Sequence, residues 1–538
     1  MKKPLHGSGR YPDHIMISIY SDPASTMAVT WRTDADTRDG FVLLRKKTET
    51  EFTRRIDAVN SPFVSDIDES TMHWAHIDCL ESDCEYAYTC GDEQYRSDEY
   101  SFRTAPEVIE KFTFLCVSDQ QKGEPFEDSD YSAFNKLIKD FLAKFPETAF
   151  ILTAGDNTDC GQHEQQWNAY FHSGCKGFAE SVPLMMALGN HDNRGFADYK
   201  TCTGRYYSEP AEFFGNQFRG SYPDNGPEGW KTENYSFDYG DAHFAVIGIN
   251  EPETVNEWLI NNTGKSAKTF KIGAYHFPIC YSGANLQNYD AYPVMTEGFE
   301  KFNLIFSGHE HNFARSFPLR QESVYERPSE GTVHYTLGNS DLNPPGTSSI
   351  PKVWHSAFFP HEEKRSMIAV GMVEGKRLTL TSYLDNGEIV DRCVLDMEND
   401  EILPYAHAPV FANGRTRMFY KGAYMGLCAM AYPCRKTDGI WYAALGVLVN
   451  YAGGDVTKSD DTITLSIYGK TVTFTRGSDI AITDSGTVQL PVPVIKPEYS
   501  REMYMPVCAC ELFEMRWRYA KRNNFINFEH ESESLPNR

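Results

Sequence analysis

Oxygen and nitrogen donors recur in this chain at the points where apolar runs stop. Asp119 follows "FLCVS", Asp156 follows "ILTAG", Asn190 and His191 follow "MMALG", His276 follows "KIGAY", and His309 and His311 follow "IFSG". A lone histidine at a strand end is ordinarily a hydrogen-bonded structural group, but chance rarely repeats such a placement five times in register. Carboxylate and amide oxygens mixed with imidazoles suit iron, manganese or zinc, whereas an all-cysteine set would suit structural zinc. Two such ions about 3.5–4 Å apart form a clamp that holds a phosphoryl group and acidifies a bridging water. His309 and His311 then feed different ions. Alternate residues of an extended segment face opposite sides, and a loop at a strand end can turn both toward neighbouring metals.

The elements that must carry these donors follow from hydropathy. From "KFTFLCVSD" onward, apolar runs each end in a polar loop, and "YSAFNKLIKDFLAKF" spaces its apolar residues as a helix does. The pattern predicts a layered α/β domain over 107–397 with its functional loops gathered at strand ends. Its antiparallel tail is "MIAVGMVEGKRLTLTSYLDNGEIVDRCVLDM", and "ENDEILPYAHAP" reads as a linker. Before it, residues 1–106 break into six short alternating strands, the pattern of a small β-sandwich closed by Pro106. After it, residues 398–538 read as an α+β unit with a loose internal repeat. In that repeat "IWYAALGVLVNYAGG" and "MYMPVCACELFEMRW" are short apolar helices leading into strands, and "SIYGKTVTF" is a tight hairpin.

Composition narrows the partners. With 538 residues, 41% hydrophobic and 14% aromatic, the chain is a folded protein of two or three domains. Its net charge of −24 disfavours nucleic acid and anionic membranes, so a phosphate-bearing ligand must be drawn in locally, for instance by metal ions. No apolar stretch long enough to span a bilayer is present, and "MKKPLHGSGR" has no apolar core after its lysines, so no secretory signal is expected. Thirteen cysteines without a CxxC pair exclude a complete disulfide framework. Reduced thiols are the simpler reading, with one local bridge among Cys79, Cys84 and Cys90 as the alternative.

The motifs "SDQQ", "GDNTD", "GNHD", "AYHF" and "GHEH", in that order and spacing, resemble those of the calcineurin-like metallophosphoesterases. The purple acid phosphatase group is the nearer likeness, since "SDPASTMAVTWRT" and "YSFRTAP" look like its fibronectin-type N-terminal module, and "NYSFDYGDAHFAVIGIN" looks like its core. The resemblance spans about residues 10 to 396. It implies a multidomain protein with an N-terminal fibronectin type III-like β-sandwich and a central βαββ sandwich that hydrolyses small phosphoesters. The expected activity is an acid phosphatase-like phosphomonoesterase using a metal-bridging hydroxide, with a phosphodiesterase or a weakly catalytic surface-binding protein as alternatives.

Carried over motif by motif, the resemblance gives Asp119, Asp156 and His311 to a first metal. Asp156 bridges to a second, which Asn190, His276 and His309 complete. His191 is implied to contact the phosphate and protonate the leaving group, with Asp192 orienting it. Two departures stand out. The family's metal-binding tyrosine is replaced by Asp159, so a purple colour is not expected, and the histidine that related non-purple enzymes carry two residues after the first aspartate is Gln121. Either Gln121 or Asp159 fills the fourth position of the first site.

Arg194 and Arg315 flank the third and fifth motifs, and each would either grip a phosphate or anchor a loop carboxylate. His163, His172, His243 and His334 are read as structural, as are Asn234 and Tyr235. Gly338 and Asn339 form either a pocket mouth or a plain turn. The C-terminal unit resembles, more weakly, the copper amine oxidase N-terminal-like repeat appended to surface proteins of anaerobic bacteria, but brings no copper-site histidines. That resemblance implies a cell-surface role, with simple packing on the central domain as the alternative. The compartment is cytoplasmic by default, or extracellular if a signal has been removed.

Overall fold

A computed structural model describes residues 7–122, 129–193, 210–283, 291–342, 349–360, 365–411, 415–425, 434–498 and 500–530. In the N-terminal unit the strands Asp13–Ser18, Met27–Asp34, Glu69–Ile77 and Val59–Val64 form one antiparallel sheet. Arg54–Asp57, Phe41–Lys46, Glu85–Gly91 and Tyr100–Arg103 form a second. Alternation turns Ile17, Val29 and Trp31 of the first sheet toward Val42, Leu44 and Tyr88 of the second, giving one shared apolar core. Two strands escaped the sequence pattern. "RRID" and "VNSPFV" lie at sheet edges where nearly every side chain is exposed or half-buried, so they show no apolar alternation.

The central domain is built on two seven-stranded mixed sheets. One orders Leu184–Met186, Thr148–Thr153, Lys111–Val117, Met367–Glu374, Arg377–Leu384, Ile389–Asp396 and Glu401–Leu403. The other orders Tyr235–Tyr239, Ala242–Ile247, Phe270–Tyr275, Leu304–Ser307, Val333–Leu337, Phe313–Ser316 and His355–Phe359. Aromatic rings lock the two together: Phe114 lies edge-on to Phe244 at 5.3 Å and to Phe306 at 6.1 Å, and Phe150 to Phe237 at 5.3 Å. The helix Ser132–Lys144 buries Phe134, Leu137, Ile138 and Phe141, the stripe its spacing predicts. The expected linker begins later than its composition implied, because Glu401–Leu403 adds a last strand to the first sheet.

The C-terminal unit has a core of its own, including Met418, Leu448, Leu465, Phe474, Met505 and Phe528. Its hairpin pairs Ile467 with Lys470, leaving Tyr468 (φ 53°) and Gly469 (φ 73°) as a two-residue turn with both residues left-handed, the geometry that matches strand twist. The first limb of the loose repeat is the helix Leu445–Tyr451, whereas the second, Val507–Phe513, winds as a 3-10 helix. Cys79, Cys84 and Cys90 carry free thiols, so the local bridge does not form. Among the described residues no helix is long and apolar enough to cross a membrane.

A buried ion cluster ties the N-terminal unit to the central domain. Arg32 is 1% exposed; its Nε and one terminal nitrogen donate to Asp13 at 2.8 and 2.6 Å, and the other terminal nitrogen reaches Glu164. Nearby, Ile17 N donates to Ala179 O at 2.9 Å and Tyr88 Oη to Glu180 O at 2.8 Å. Removing one member of a buried pair strands the others in a low-dielectric interior. Arg32→Ala should therefore cost about 3–5 kcal/mol in urea denaturation, and an unchanged midpoint would show that the cluster does not hold the units together.

Candidate metal centre

All five motifs leave strands at the same end of the two facing sheets. Asp119 follows Lys111–Val117, Asp156 follows Thr148–Thr153, and Asn190 follows Leu184–Met186, all in the first sheet. His276 follows Phe270–Tyr275, and His309 and His311 follow Leu304–Ser307, in the second. The loops turn so sharply that four of these residues take left-handed backbone: Asp119 (φ 56°), Asp156 (54°), His309 (70°) and His311 (55°). Such conformations are costly for residues with a Cβ and gather at functional sites. The glycines before Asn190 and His309 answer to close approach. A Cβ on Gly189 would sit 2.2 Å from Asp156 N and Oδ1, and one on Gly308 would sit 1.8 Å from Ser118 Oγ and 2.5 Å from Asp119 Oδ2.

Four donor atoms meet at one point. Asn190 Oδ1 is 3.0 Å from both His276 Nε2 and His309 Nδ1, and Asp156 Oδ2 is 3.1 Å from His276 Nε2. Ligand atoms of Asp156, His276 and His309 all lie within 4.8 Å of one another. Neighbouring donors in a shell about 2.1 Å from a cation are themselves about 3.0–3.4 Å apart, for octahedral to tetrahedral geometry. The tautomer of His276 points the same way. Its Nδ1 is 2.9 Å from Ala154 O, which can only accept, so Nδ1 carries a proton. Nε2 then faces two oxygens and needs either a second proton or a cation. Burial works against the proton, yet Asp156 outweighs it and raises the imidazole to about 9.

A second group of donors adjoins the first. His311 Nε2 is 3.7 Å from Asp119 Oδ1, and Gln121 Nε2 is 3.2 Å from His311 Nε2 and 3.3 Å from Asp156 Oδ2. Asp156 thus faces both groups. Burial raises Asp119 above the usual carboxylate range. In Asp156 burial is overcome by His276 and His191, which hold it below that range. Gln121 Oε1 is buried without a hydrogen-bond partner. Turning the amide over, an exchange that the bonding pattern alone decides, would place this oxygen beside His311 and Asp156.

The surroundings of His191 correct one expectation. Asp192 does not orient it: its Oδ1 accepts from Thr158 N and Oγ1 at 2.8 and 3.1 Å, and its Oδ2 from Asn157 Nδ2 and Gly189 N, both at 2.9 Å. Asp192 therefore braces the second and third motif loops together, and burial with the nearby Asp156 charge pushes it up to about 6. The residue that meets the His191 ring is Asp159, whose Oδ1 lies 2.9 Å and whose backbone oxygen lies 3.0 Å from Nδ1. The ring's other nitrogen, Nε2, lies 3.7 Å from Asp156 Oδ2 at the centre.

Arg194 lies outside the described residues. Arg315 donates to both oxygens of Asp391, at 2.8 and 3.1 Å, and so anchors a strand. His163 pairs with Asp66 and His243 with Asp238 and Asn262; His334 is buried, which pushes it down to about 4. His172 borders a small cavity with His14 and Glu180. Asn234 and Tyr235 are scaffold, accepting from Gly248 N and donating to Met186 O. Gly338 and Asn339 begin a loop whose Ser340 bonds Ser118 beside Asp119, and Asp341 in that loop pairs with Lys122 at 2.8 Å. No sequence signal singled out Lys122 or Asp341, because their partnership exists only across the fold. Gly308→Ala should cost about 1–3 kcal/mol by overpacking and lower the zinc or manganese retained on purification. Wild-type metal content in that variant would contradict the need for close approach.

Comparison with known proteins agrees with this arrangement. Residues 12–104 match the purple acid phosphatase N-terminal domain, and residues 112–313 match the calcineurin-like phosphoesterase domain. Among curated proteins of Arabidopsis thaliana, probable inactive purple acid phosphatase 27 is 22% identical over 335 residues, covering 53% of this chain and 52% of that one. Purple acid phosphatase 15 is 24% identical over 304 residues, covering 50% and 53%. The chain thus spans about half the length of these curated relatives. In fold, the purple acid phosphatase PPD1 from yellow lupin (Lupinus luteus) seeds superposes with a TM-score of 0.55 at 17% identity, over 72% of this chain and 74% of that one. Five motif loops converging at one end of paired sheets, behind a two-sheet N-terminal unit, therefore lie in a chain whose first part is similar to the purple acid phosphatase N-terminal domain and whose central part is similar to the calcineurin-like phosphoesterase domain.

Proposed function

We propose that this protein is a metal-dependent phosphoester hydrolase acting on small phosphomonoesters. The observation that carries the reading is the meeting of Asn190 Oδ1, His276 Nε2, His309 Nδ1 and Asp156 Oδ2, with three contacts of 3.0–3.1 Å linking them and the ligand atoms of Asp156, His276 and His309 all within 4.8 Å of one another. In this reading Asp156, Asn190, His276 and His309 hold one ion, and Asp119, Asp156, His311 and Gln121 hold the other, as iron, manganese or zinc. When bound, such a pair neutralises phosphoryl oxygens and acidifies water.

The chain's own groups supply the rest. The Asp159 carboxylate and backbone oxygen both face Nδ1 of His191 and so favour the tautomer with a proton there. Nε2 is thereby presented to the centre, and in the doubly protonated ring its N–H can donate to a phosphoryl oxygen and pass that proton to the departing alcohol, while the Nδ1 proton stays hydrogen-bonded to Asp159. Asp192 supports this indirectly by fixing Gly189 and Thr158, the backbone on either side of the Asp156–Asn190 contact. The carboxylates at the centre offer no attraction to an anionic substrate in a chain of net charge −24, so affinity depends on the ions.

The test is hydrolysis of p-nitrophenyl phosphate and of its bis-ester before and after chelation. The monoester should be cleaved faster, with activity lost on chelation and restored by manganese, iron or zinc. Preference for the bis-ester would redirect the reading to a phosphodiesterase, and a metal-loaded protein without turnover on either would remove the catalytic claim. His191→Ala should lower kcat about 10²–10⁴-fold on a poor leaving group with metal content unchanged. Asp159→Asn should produce a smaller loss and move the acidic or basic limb of the kcat/KM profile, whereas a purely structural Asp159 would leave that profile in place.

A further inference from the structure

The C-terminal unit reaches into the loops that carry the candidate ligands. Its strand Phe525–His530 lies beside Arg417–Tyr420, and from it Glu529, 2% exposed, accepts a hydrogen bond from Tyr281 Oη at 2.6 Å. Tyr281 stands five residues after His276, on the loop leaving Phe270–Tyr275. The next two residues bind the fifth motif from the other side. Ser282 N and Oγ donate to Glu310 Oε2 at 2.8 and 2.6 Å, and Gly283 N donates to Glu310 Oε1 at 2.8 Å. Glu310 is the residue between His309 and His311.

The contact is built rather than incidental. Asn527 Nδ2 also donates to Glu529 Oε1, at 2.6 Å, and Asn527 Oδ1 accepts from Gly422 N at 2.7 Å. Gly422 (φ 69°) admits the Trp354 ring, since a Cβ there would lie 2.3 Å from it, and Trp354 Nε1 in turn donates to Tyr281 O at 3.2 Å. Tyr281 is therefore held at its hydroxyl by Glu529, at its carbonyl by Trp354, and on its ring by Trp354 at 5.3 Å.

We infer that Tyr281 and Glu529 are positioning residues through which the C-terminal unit fixes the wall bearing His276, His309 and His311. This inference rests on the metal-centre reading proposed above. Its consequence is that the C-terminal unit is part of the working site: loosening its grip on Tyr281 frees the 277–283 loop, and with it the Glu310 anchor of the two histidines. Partners that directly brace a metal ligand are worth roughly ten- to hundredfold in affinity. Tyr281 acts one step further out, so a smaller effect is expected.

The experiment follows manganese loss from the loaded full-length chain into excess chelator, with no phosphoester present. Tyr281→Phe and Glu529→Ala should each speed release roughly 3- to 10-fold, and the double variant should release no faster than the quicker single one, because both remove the same bond. Arg522→Ala breaks a different contact of the same unit, the 3.4 Å pair with Glu330, and should leave release unchanged. With p-nitrophenyl phosphate the Tyr281 and Glu529 variants should lower kcat more than they raise KM. Release at the wild-type rate in Tyr281→Phe overturns the inference, as does equal acceleration by Arg522→Ala, which would indicate general loosening. A wild-type protein that retains manganese but cleaves no phosphoester would sink the proposed activity and leave this inference standing. One that retains none of manganese, iron or zinc would overturn both.

Discussion

The rest of the site depends on a pair of lone pairs that cannot face each other without something positive between them. His276 is fixed through Nδ1 to the Ala154 carbonyl, and its Nε2 then looks at the oxygens of Asn190 and Asp156. In a buried cavity such a convergence is repulsive unless a proton or a cation occupies it. The surrounding structure is arranged to make the convergence unavoidable. Ala154 and Asp156 belong to one loop, Asn190 to the next, and Gly189 and Gly155 let the two loops and the imidazole approach within distances that a methyl group would forbid.

That arrangement is costly, and the fold distributes the cost over large packed elements. Four candidate ligands sit in left-handed backbone, a strain that persists only where the framework over-determines it. Here the framework is two seven-stranded sheets joined by the Phe114, Phe150 and Phe244 rings. Behind it, Arg32, Asp13 and Glu164 clamp the N-terminal unit against the helix that follows the second motif. In front, Asp192 spends all of its hydrogen-bonding capacity on the second and third loops. Ligand position is thus set by backbone and by buried carboxylates more than by the ligand side chains themselves.

Much of this was legible in the order of residues. Apolar runs ending in Asp119, Asp156, Asn190, His276 and His309 gave both the strands and the side of the sheets on which chemistry gathers, because strand period and burial are local properties. The helix Ser132–Lys144 and the Tyr468–Gly469 turn were readable for the same reason. The edge strands Arg54–Asp57 and Val59–Val64 were not, since an edge exposed to water leaves no apolar period to read. Assigning Asp192 to orient His191 failed on geometry. Adjacent residues in a tight turn diverge, and the partner came from Asp159 in another loop. The Glu529–Tyr281 bond joins residues 248 apart in sequence, and no spacing rule reaches that far.

The most direct test of the central claim is anomalous X-ray scattering from crystals of the protein purified with manganese, iron or zinc. The account predicts two peaks about 3.5–4 Å apart, one enclosed by Asp156, Asn190, His276 and His309 and one by Asp119, Asp156 and His311. Well-ordered crystals of protein purified with these metals, but with no anomalous density between these residues, would contradict it.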